Sequence, residues 1–386
     1  MTELASYACH PENSRGRLYA EPSAERRTCH QRDRDRIIHS SAFRKLEYKT
    51  QVFVNHEGDY YRTRLTHTLE VSQIGRSIAR PLRLNEDLVE ALALAHDLGH
   101  TPFGHAGEDA LNEVMEEHGG FDHNIQTLRI LTELEKRYAD FDGLNLTWEA
   151  LEGTIKHNGP INPPFDKSLR LYLEKHDLEV DSYASLEAQV AAISDDIAYN
   201  NHDIDDGFRA GLFDMEELFD LPLIGPTLDQ LQRAYPDLSN ARLVHEMIRR
   251  IINEMIQDLL TATEQNIKKL KPKSVEDIRQ ADKAVVGFSA KMSESNEAIR
   301  AFLHENMYRH YRVNRMISKS KRVVTDLFTL FFSEPECLPT EWRTAYQAKE
   351  TEEERALVVS DYIAGMTDRY AMVEHRRLFD IYASSQ

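Results

Sequence analysis

The segment 91–108 places an imidazole and a carboxylate side by side where an apolar helix ends. It opens with Ala-Leu-Ala-Leu-Ala, and His96-Asp97 follows directly. Gly, Pro, two further His and Glu108 come next. Folding alone gives an apolar helix no reason to end in His-Asp-Leu-Gly-His, whereas imidazole and carboxylate together are ordinary metal ligands. This segment is therefore the candidate functional centre, and the rest of the chain must supply the other ligands.

Two further segments offer ligands for a metal ion. His67 lies on one predicted helix and Asp195 lies on another. Asp195, Tyr199 and Asp203 follow one another at helical spacing and share one face of their helix, whereas Asp196 points about 100° away. A single His on a helix is usually structural, so the argument for His67 depends on the His96-Asp97 pair. Two imidazoles and two carboxylates favour Mn, Mg, Fe, Ni or Co over a thiolate zinc site.

The sequence predicts an all-α protein with one small β-hairpin. Gly and Pro number only 16 and 13 among 386 residues, which is typical of a helical chain, and the hairpin is predicted at 51–63. We expect a flexible N-terminal arm at 1–31, a core at 32–215 and a helical C-terminal part at 216–386. The expected helices are 32–46, 64–81, 86–97, 106–118, 121–138, 148–157, 184–203, 239–261, 274–284, 294–318, 320–332 and 351–378.

Charge and cysteine content exclude several classes of protein. A net charge of −18 argues against a protein that coats duplex DNA, because such proteins are basic. The three cysteines lack CxxC spacing, which favours reduced thiols and a cytoplasmic location. The N-terminus has no apolar signal region, and no run of about 18 apolar residues predicts a membrane span.

The candidate ligands resemble the His…His-Asp…Asp pattern of the HD-domain metal-dependent phosphohydrolases. Neighbouring motifs narrow the resemblance to the bacterial, dGTPase-like branch of the deoxynucleoside triphosphate triphosphohydrolases. Those motifs lie at 44–53, 61–67, 96–105, 121–124 and 195–199. The resemblance runs from about Arg32 to about Leu330. It implies an HD-domain helical bundle whose C-terminal part completes the substrate pocket and the oligomer contacts.

The resemblance also implies roles for individual residues. A divalent metal ion would be ligated by His67, His96, Asp97 and Asp195. A catalytic group near the α-phosphate would contain His105, Glu108 and His123, with His100 in the same loop. Substrate contacts would come from Gln51, Arg64, Tyr199, Asp203, Arg300, His304 and Tyr308. The sequence leaves open which group activates water and which protonates the leaving deoxynucleoside. His157 is a weaker candidate for the pocket wall.

Two locally basic segments stand out in this acidic chain. Between Arg300 and Arg322 there are seven Lys or Arg and a single acid, and Arg300, His304 and Tyr308 share one predicted helical face. Between Arg15 and Lys45 there are nine basic and four acidic residues. An acidic protein needs such a face to attract a polyphosphate. The alternatives are a surface helix or subunit contact for the first segment and a solvated arm for the second.

The activity implied by the resemblance is hydrolysis of dGTP, or of dNTPs in general, to deoxynucleoside and inorganic triphosphate. One alternative is another HD-type phosphohydrolase, either a nucleotidase or a phosphodiesterase. A second is a regulator that binds nucleotides or single-stranded nucleic acid. The resemblance further implies a homo-oligomer, such as a hexamer, and a nucleotide or single-stranded DNA as effector. Glu47 stands where an activator-binding relative has a basic residue, which argues against that mode of nucleotide activation.

Overall fold

Helices form nearly all of the regular structure in the residues that are described. The structure is a computed structural model that describes residues 3–22, 25–51 and 62–382, and it confirms the all-α prediction. The helices are α1 (Cys29–Ile38), α2 (Ser41–Lys45), α3 (Arg64–Ala79), α4 (Glu86–Ala95), α5 (Gly104–Val114), α6 (His123–Arg129), α7 (Trp148–Ile155), α8 (Lys167–Leu173), α9 (Leu186–Arg209), α10 (Met215–Phe219), α11 (Ile224–Ala234), α12 (Asn240–Leu270), α13 (Val275–Arg279), α14 (Ala290–Leu303), α15 (Tyr311–Ser333), α16 (Thr340–Gln347), α17 (Glu352–Ala364) and α18 (Asp368–Phe379).

Shorter elements connect these helices. Single 3-10 turns cover Pro11–Asn13, Leu46–Tyr48, Glu116–His118 and Pro335–Cys337, and π turns cover Ile130–Leu134 and His304–Tyr308. Residues 52–61 of the predicted hairpin lie outside the described residues, and an antiparallel bridge joins Thr50 to Thr63 on either side of them. Within the described ranges, every helix falls short of the length or the hydropathy that a membrane span requires.

Helices α3, α4 and α9 pack against one another and carry the candidate metal ligands. Each begins with a residue whose side chain accepts a backbone hydrogen bond from the first turn, namely Thr63, Asn85 and Ser185. Gly75 of α3 lies where all three helices are close together. A Cβ there would lie 2.9 Å from Val89 Cγ1 of α4 and 3.3 Å from Ser194 Oγ of α9. This close packing brings the turn that contains Asp195 against α3.

Helix α4 is buried along its C-terminal half, where every residue from Ala91 to Ala95 is buried, which explains its Ala- and Leu-rich sequence. Val89 and Ala93 belong to an apolar cluster shared with α3, α9 and α12. Leu88, Leu92 and Ala95 belong to another, shared with α1 and α7. Because both faces are packed, the end of α4 has a fixed position. The His96-Asp97 pair that follows it is therefore held in place by the core.

A third apolar cluster attaches the C-terminal helices to the segment that follows α4. Leu111 of α5 packs with Phe328 and Phe331 of α15 and with Val359 of α17. The helix that carries the predicted catalytic His105 and Glu108 is thus supported by residues more than 200 positions later in the chain. This arrangement gives the C-terminal part direct contact with the candidate site.

Residues 3–22 pack on the helical core, in contrast to the flexible arm that the sequence predicts. Arg17 forms an ion pair of 2.5 Å with Asp33 of α1, whose side chain is fully buried. Its backbone also bridges to Thr147. The amide of Cys9 donates to Glu187 of α9 at 2.8 Å. This polar segment is ordered because buried carboxylates of the core accept its donors, an interaction that hydropathy does not reveal.

The C-terminal helices break at points that the sequence prediction missed. The helix expected at 294–318 ends at Leu303 and is followed by the π turn. A new helix then begins at Tyr311 and continues without interruption to Ser333. His310 caps this new helix by accepting from the Arg312 amide. The helix expected at 351–378 is likewise divided by 365–367, where Thr367 caps α18.

Elsewhere the helix ends differ from the prediction. Helix α6 ends at Arg129, well before the predicted residue 138, because a π turn and an extended Glu135 follow it. Helix α13 stops at Arg279, whereas 284 was expected. Helix α12 runs to Leu270, past the expected 261, and ends at Lys271 in the left-handed conformation. Apolar periodicity locates these helices but does not determine where they stop.

The buried pair of Arg17 and Asp33 predicts a large loss of stability when its acid is removed. We expect Asp33→Ala to lower the free energy of unfolding by about 3–5 kcal/mol, because the Arg17 charge is left buried and unpaired. Chemical unfolding followed by circular dichroism measures this. Asp35→Ala on the same helix is the control, since Asp35 forms partly exposed pairs with Arg27 and Arg34 and should cost about 1 kcal/mol or less. Equal losses in the two variants would contradict the account.

Candidate metal and acid–base site

The four predicted metal ligands lie together at the junction of α3, α4 and α9. His67 Nε2 is 2.8 Å from Asp195 Oδ1. His96 Nε2 is 3.4 Å from Asp97 Oδ1 and 3.7 Å from Asp195 Oδ1. His67, His96 and Asp97 can each direct a ligand atom to one common point, with all three atoms within 4.8 Å of one another. Packing of the three helices has thus brought separate parts of the chain into one cluster.

The hydrogen bonding of His96 shows that this cluster fits a divalent cation. His96 Nδ1 lies 2.7 Å from the carbonyl oxygen of Ala93, which can only accept, so Nδ1 carries a proton. In the neutral ring Nε2 then presents a lone pair. That atom is buried and has no hydrogen-bond partner among the described residues. It faces two carboxylate oxygens, and a divalent metal ion held between them would balance their charge and accept the lone pair of Nε2.

Asp97 connects the cluster of predicted metal ligands to Arg64 and to His100. Its Oδ2 lies 2.9 Å from Arg64 Nη1, and its Oδ1 lies 3.3 Å from His100 Nε2. Burial raises the pKa of Asp97, but the charge of Arg64 and the hydrogen bond from His100 outweigh burial and hold the pKa well below the usual value. Asp97 is therefore a carboxylate in the folded protein, as a metal ligand must be.

The predicted acid–base residues form a second cluster next to the first. Glu108 Oε1 lies 2.7 Å from His123 Nδ1, and Glu108 Oε2 lies 3.4 Å from His105 Nδ1. His100 stacks on His123 with 4.0 Å between the ring centroids. His105 is the exposed member, with 61% of its side chain accessible. The four residues therefore surround one carboxylate, and His100 links them to Asp97.

Charges in this second cluster favour a protonated His123. Burial lowers the pKa of His123, but the hydrogen bond and charge of Glu108 outweigh it, and the pKa is raised above the usual value. Burial raises the pKa of Glu108, but its hydrogen bonds with His105 and His123 outweigh burial, so the pKa lies below the usual value. Burial holds the pKa of His100 well below the usual value. A carboxylate beside a protonated imidazole is an arrangement that can deliver a proton.

A third group forms around Asp203, two turns along α9 from Asp195. The Tyr308 hydroxyl donates a hydrogen bond to Asp203 and lies 3.0 Å from the Tyr199 hydroxyl, with which it also hydrogen-bonds. Burial raises the pKa of Asp203 to about 8. Gln51 is buried, and its Oε1 has no hydrogen-bond partner among the described residues. These polar groups could recognise a sugar.

Arg300 and His304 are not part of that group, which corrects the expectation of one shared helical face. Arg300 Nη2 lies 2.6 Å from Asp196 Oδ1, and both side chains are about half exposed. His304 is exposed at the start of the π turn. The wider π turn changes the direction of Tyr308 relative to an α-helix, so Tyr308 no longer follows Arg300 and His304 at α-helical spacing.

Two further histidines lie at the site, namely His157, which was a weaker candidate for the pocket wall, and His202, which was not assigned. His157 Nε2 lies 3.5 Å from Asp195 Oδ2, and its ring stacks on His96 at 5.2 Å. His202 Nδ1 lies 3.2 Å from His67 Nδ1, and its Nε2 lies 2.8 Å from Glu70. His202 follows Asp195 by seven residues, which places both on one face of α9. That spacing was a signal in the sequence.

Known proteins resemble this chain over nearly its whole length. Residues 64–200 match the HD domain and residues 286–377 match the phosphohydrolase-associated domain. A deoxyguanosinetriphosphate triphosphohydrolase-like protein of Parvibaculum lavamentivorans is 57% identical, and the match covers 98% of this chain and 97% of the relative. Proteins of the same name from Caulobacter vibrioides and Cereibacter sphaeroides are 55% and 53% identical, over 98% and 97% of this chain and 96% and 99% of theirs.

These similarities confirm the resemblance inferred from the motifs. The first matched region contains the metal cluster and the acid–base cluster, and the second contains Arg300, His304 and Tyr308. The chain belongs to the deoxyguanosinetriphosphate triphosphohydrolase-like family of HD-domain, metal-dependent phosphohydrolases.

Proposed function

We propose that this protein hydrolyses deoxynucleoside triphosphates to deoxynucleoside and inorganic triphosphate. The observation that carries the proposal is the contact between the two clusters through Asp97 and His100. This contact joins a buried group of His and Asp side chains that could hold a cation to a carboxylate–imidazole pair. Cleavage of the bond between the α-phosphorus and the 5′-oxygen needs both stabilisation of negative charge and a proton for the leaving oxygen. The names of the relatives point to the same class of substrate.

The metal ligands would be His67, His96, Asp97 and Asp195. A divalent ion bound there supplies a Lewis acid for a phosphate oxygen and lowers the pKa of a bound water. Arg64 provides a fixed positive charge beside it, held by Asp97 at 2.9 Å. Its Nε is buried and has no hydrogen-bond partner among the described residues. We assign this N–H group to an oxygen of the triphosphate.

His123 is the residue best placed to protonate the leaving 5′-oxygen. Its Nδ1 is occupied by Glu108, so the transferable proton is on Nε2. Glu108 stabilises the protonated ring and orients it. His105 lies on the other oxygen of Glu108 and is exposed, so it can exchange protons with solvent.

The group of Tyr199, Asp203 and Tyr308 would bind the sugar, with Gln51. Asp203, whose pKa burial raises to about 8, holds a proton at neutral pH and can hydrogen-bond to a 3′-hydroxyl. The Tyr199 ring would leave little space for a 2′-hydroxyl. Discrimination by such a wall is limited to about a hundredfold.

Product analysis tests the proposal directly. The purified protein is incubated with Mn²⁺ and each of the four dNTPs, and the products are separated by anion exchange. We expect deoxynucleoside and triphosphate from the wild type and no products from His96→Ala, because the loss of Nε2 removes a metal ligand. Deoxynucleoside monophosphate or free phosphate would instead indicate a nucleotidase or phosphodiesterase. Tight binding of single-stranded nucleic acid with no hydrolysis would indicate a regulator.

Replacement of Tyr199 tests how the sugar is recognised. We expect Tyr199→Ala to lower the ratio of kcat/KM for a dNTP over the matching ribonucleotide by up to about a hundredfold, because space opens at the 2′ position. Tyr311→Ala is the control, since Tyr311 is an exposed tyrosine on α15. An unchanged ratio in Tyr199→Ala would show that another residue excludes the 2′-hydroxyl.

The pH profile tests the role of His123. Because Glu108 raises the pKa of His123, the protonated form persists below that raised pKa and is lost as the pH rises through it. Glu108→Gln removes the charge, so the alkaline limb of kcat should move to lower pH. Glu113→Gln, an exposed acid on the same helix, should leave the limb in place. A limb that does not move in Glu108→Gln would exclude His123 as the acid.

A further inference from the structure

The turn that leads from the metal cluster to the acid–base cluster has an unusual backbone. Phe103 and Gly104 both lie in the left-handed region, with φ of 65° and 58°. A Cβ on Gly107 would lie only 1.9 Å from the carbonyl oxygen of Pro102, so the turn packs tightly against the start of α5. A non-glycine residue such as Phe103 keeps this conformation only when its surroundings enforce it. Contacts with neighbouring residues must therefore enforce the conformation of Phe103.

One buried carboxylate from the C-terminal part holds this turn. Asp368, which is 2% exposed, is the first residue of α18. Its Oδ1 accepts the Phe103 amide at 2.9 Å. Its Oδ2 accepts the Thr50 amide at 2.9 Å and also the Thr50 hydroxyl. A single side chain therefore ties the turn at 101–104 to the residue that directly precedes Gln51.

A second contact joins the same segments. Lys49 Nζ donates to the carbonyl oxygen of His100 at 2.5 Å and to that of Ala364 at 2.8 Å. The ammonium group is buried and lies close enough to Asp368 for their charges to attract. Residues 364–368 are thus joined to the 100–104 segment by hydrogen bonds at two points. Lys49 reaches His100 only at its backbone carbonyl, and Asp368 bonds to Thr50 and Phe103, so the effect of both residues must pass through the backbone.

We propose that Asp368 is a positioning residue for catalysis. It fixes the turn that presents His105 and Glu108 and aligns that turn with the sugar-binding segment at Gln51. Without this carboxylate, the buried amides of Thr50 and Phe103 lose their acceptor, and the Phe103 conformation loses its support. The kinetic part of the proposal rests on the proposed function. The structural part, that Asp368 holds the turn, does not.

The test compares Asp368→Asn with Asp361→Asn. Asparagine keeps the shape of aspartate but can present only one oxygen, so its NH₂ must face a backbone donor. Asp361 is the matched control because it is also buried, at 6% exposure, and belongs to the same region. Its contact is an ion pair of 2.6 Å with Arg129. Both variants are measured as full-length protein for kcat, for KM, and for hydrogen exchange of the peptide at 98–105 without substrate.

We expect Asp368→Asn to lower kcat by about 100-fold, since small misplacements of reacting groups have effects of that size, and to speed exchange at 98–105. Asp361→Asn should change neither by more than about threefold. Wild-type exchange or wild-type kcat in Asp368→Asn would overturn the proposal. So would equal changes in both variants, because they would show a general loss of stability. If the protein proves to hydrolyse another phosphate ester, kcat for that ester is used, and the exchange result stands by itself.

Thr50→Val provides an independent test if Asp368→Asn does not fold. Valine removes only the hydroxyl donor to Asp368 and leaves the Thr50 amide in place, and both side chains are similar in size. We expect kcat to fall by about 3- to 10-fold, as is usual for one lost hydrogen bond, with faster exchange at 98–105. Unchanged exchange and unchanged kcat in this variant would overturn the proposal.

Discussion

A buried imidazole directed at two carboxylates is the constraint on which the site depends. His96 donates a hydrogen bond from Nδ1 to a backbone carbonyl, so in the neutral ring Nε2 carries no proton. That Nε2 atom faces Asp97 and Asp195. Buried groups of this kind repel one another unless a cation lies between them. The close packing of α3, α4 and α9 holds the three side chains in place, so the geometry of the predicted metal site depends on the packing of the helical core. The stability of that junction should therefore depend on the bound ion.

The sequence predicted which side chains meet at the junction of α3, α4 and α9, because its signals are local. The structure contains the apolar helix that ends in His-Asp. It also contains the acid that stands at helical spacing from Tyr199 and Asp203. The recognition of further motifs added Glu108 and His123, which the structure brings together at 2.7 Å. In each case the sequence signal lies within a short stretch of the chain. Tertiary packing then brings these stretches together.

Residues whose positions depend on distant contacts were predicted less well. The π turn at 304–308 interrupts the α-helical spacing of Arg300, His304 and Tyr308, and apolar periodicity contains no signal for such a turn. The N-terminal arm looks flexible by composition but is held by buried acids such as Asp33. Asp368 lies 265 residues from Phe103, and nothing in its local sequence connects it to the turn. His202 is different, because its spacing from Asp195 could have identified it.

The metal content of two adjacent variants tests the central claim most directly. Asp195 and Asp196 are neighbours on α9, yet the first faces His67 and His96 and the second faces Arg300. Plasma mass spectrometry of the purified proteins, followed by titration of Mn²⁺ into chelator-treated samples, measures bound metal without any assumption about the substrate. We predict that Asp196→Ala binds a divalent ion as the wild type does and that Asp195→Ala loses it. Equal metal content in the two variants would contradict the account.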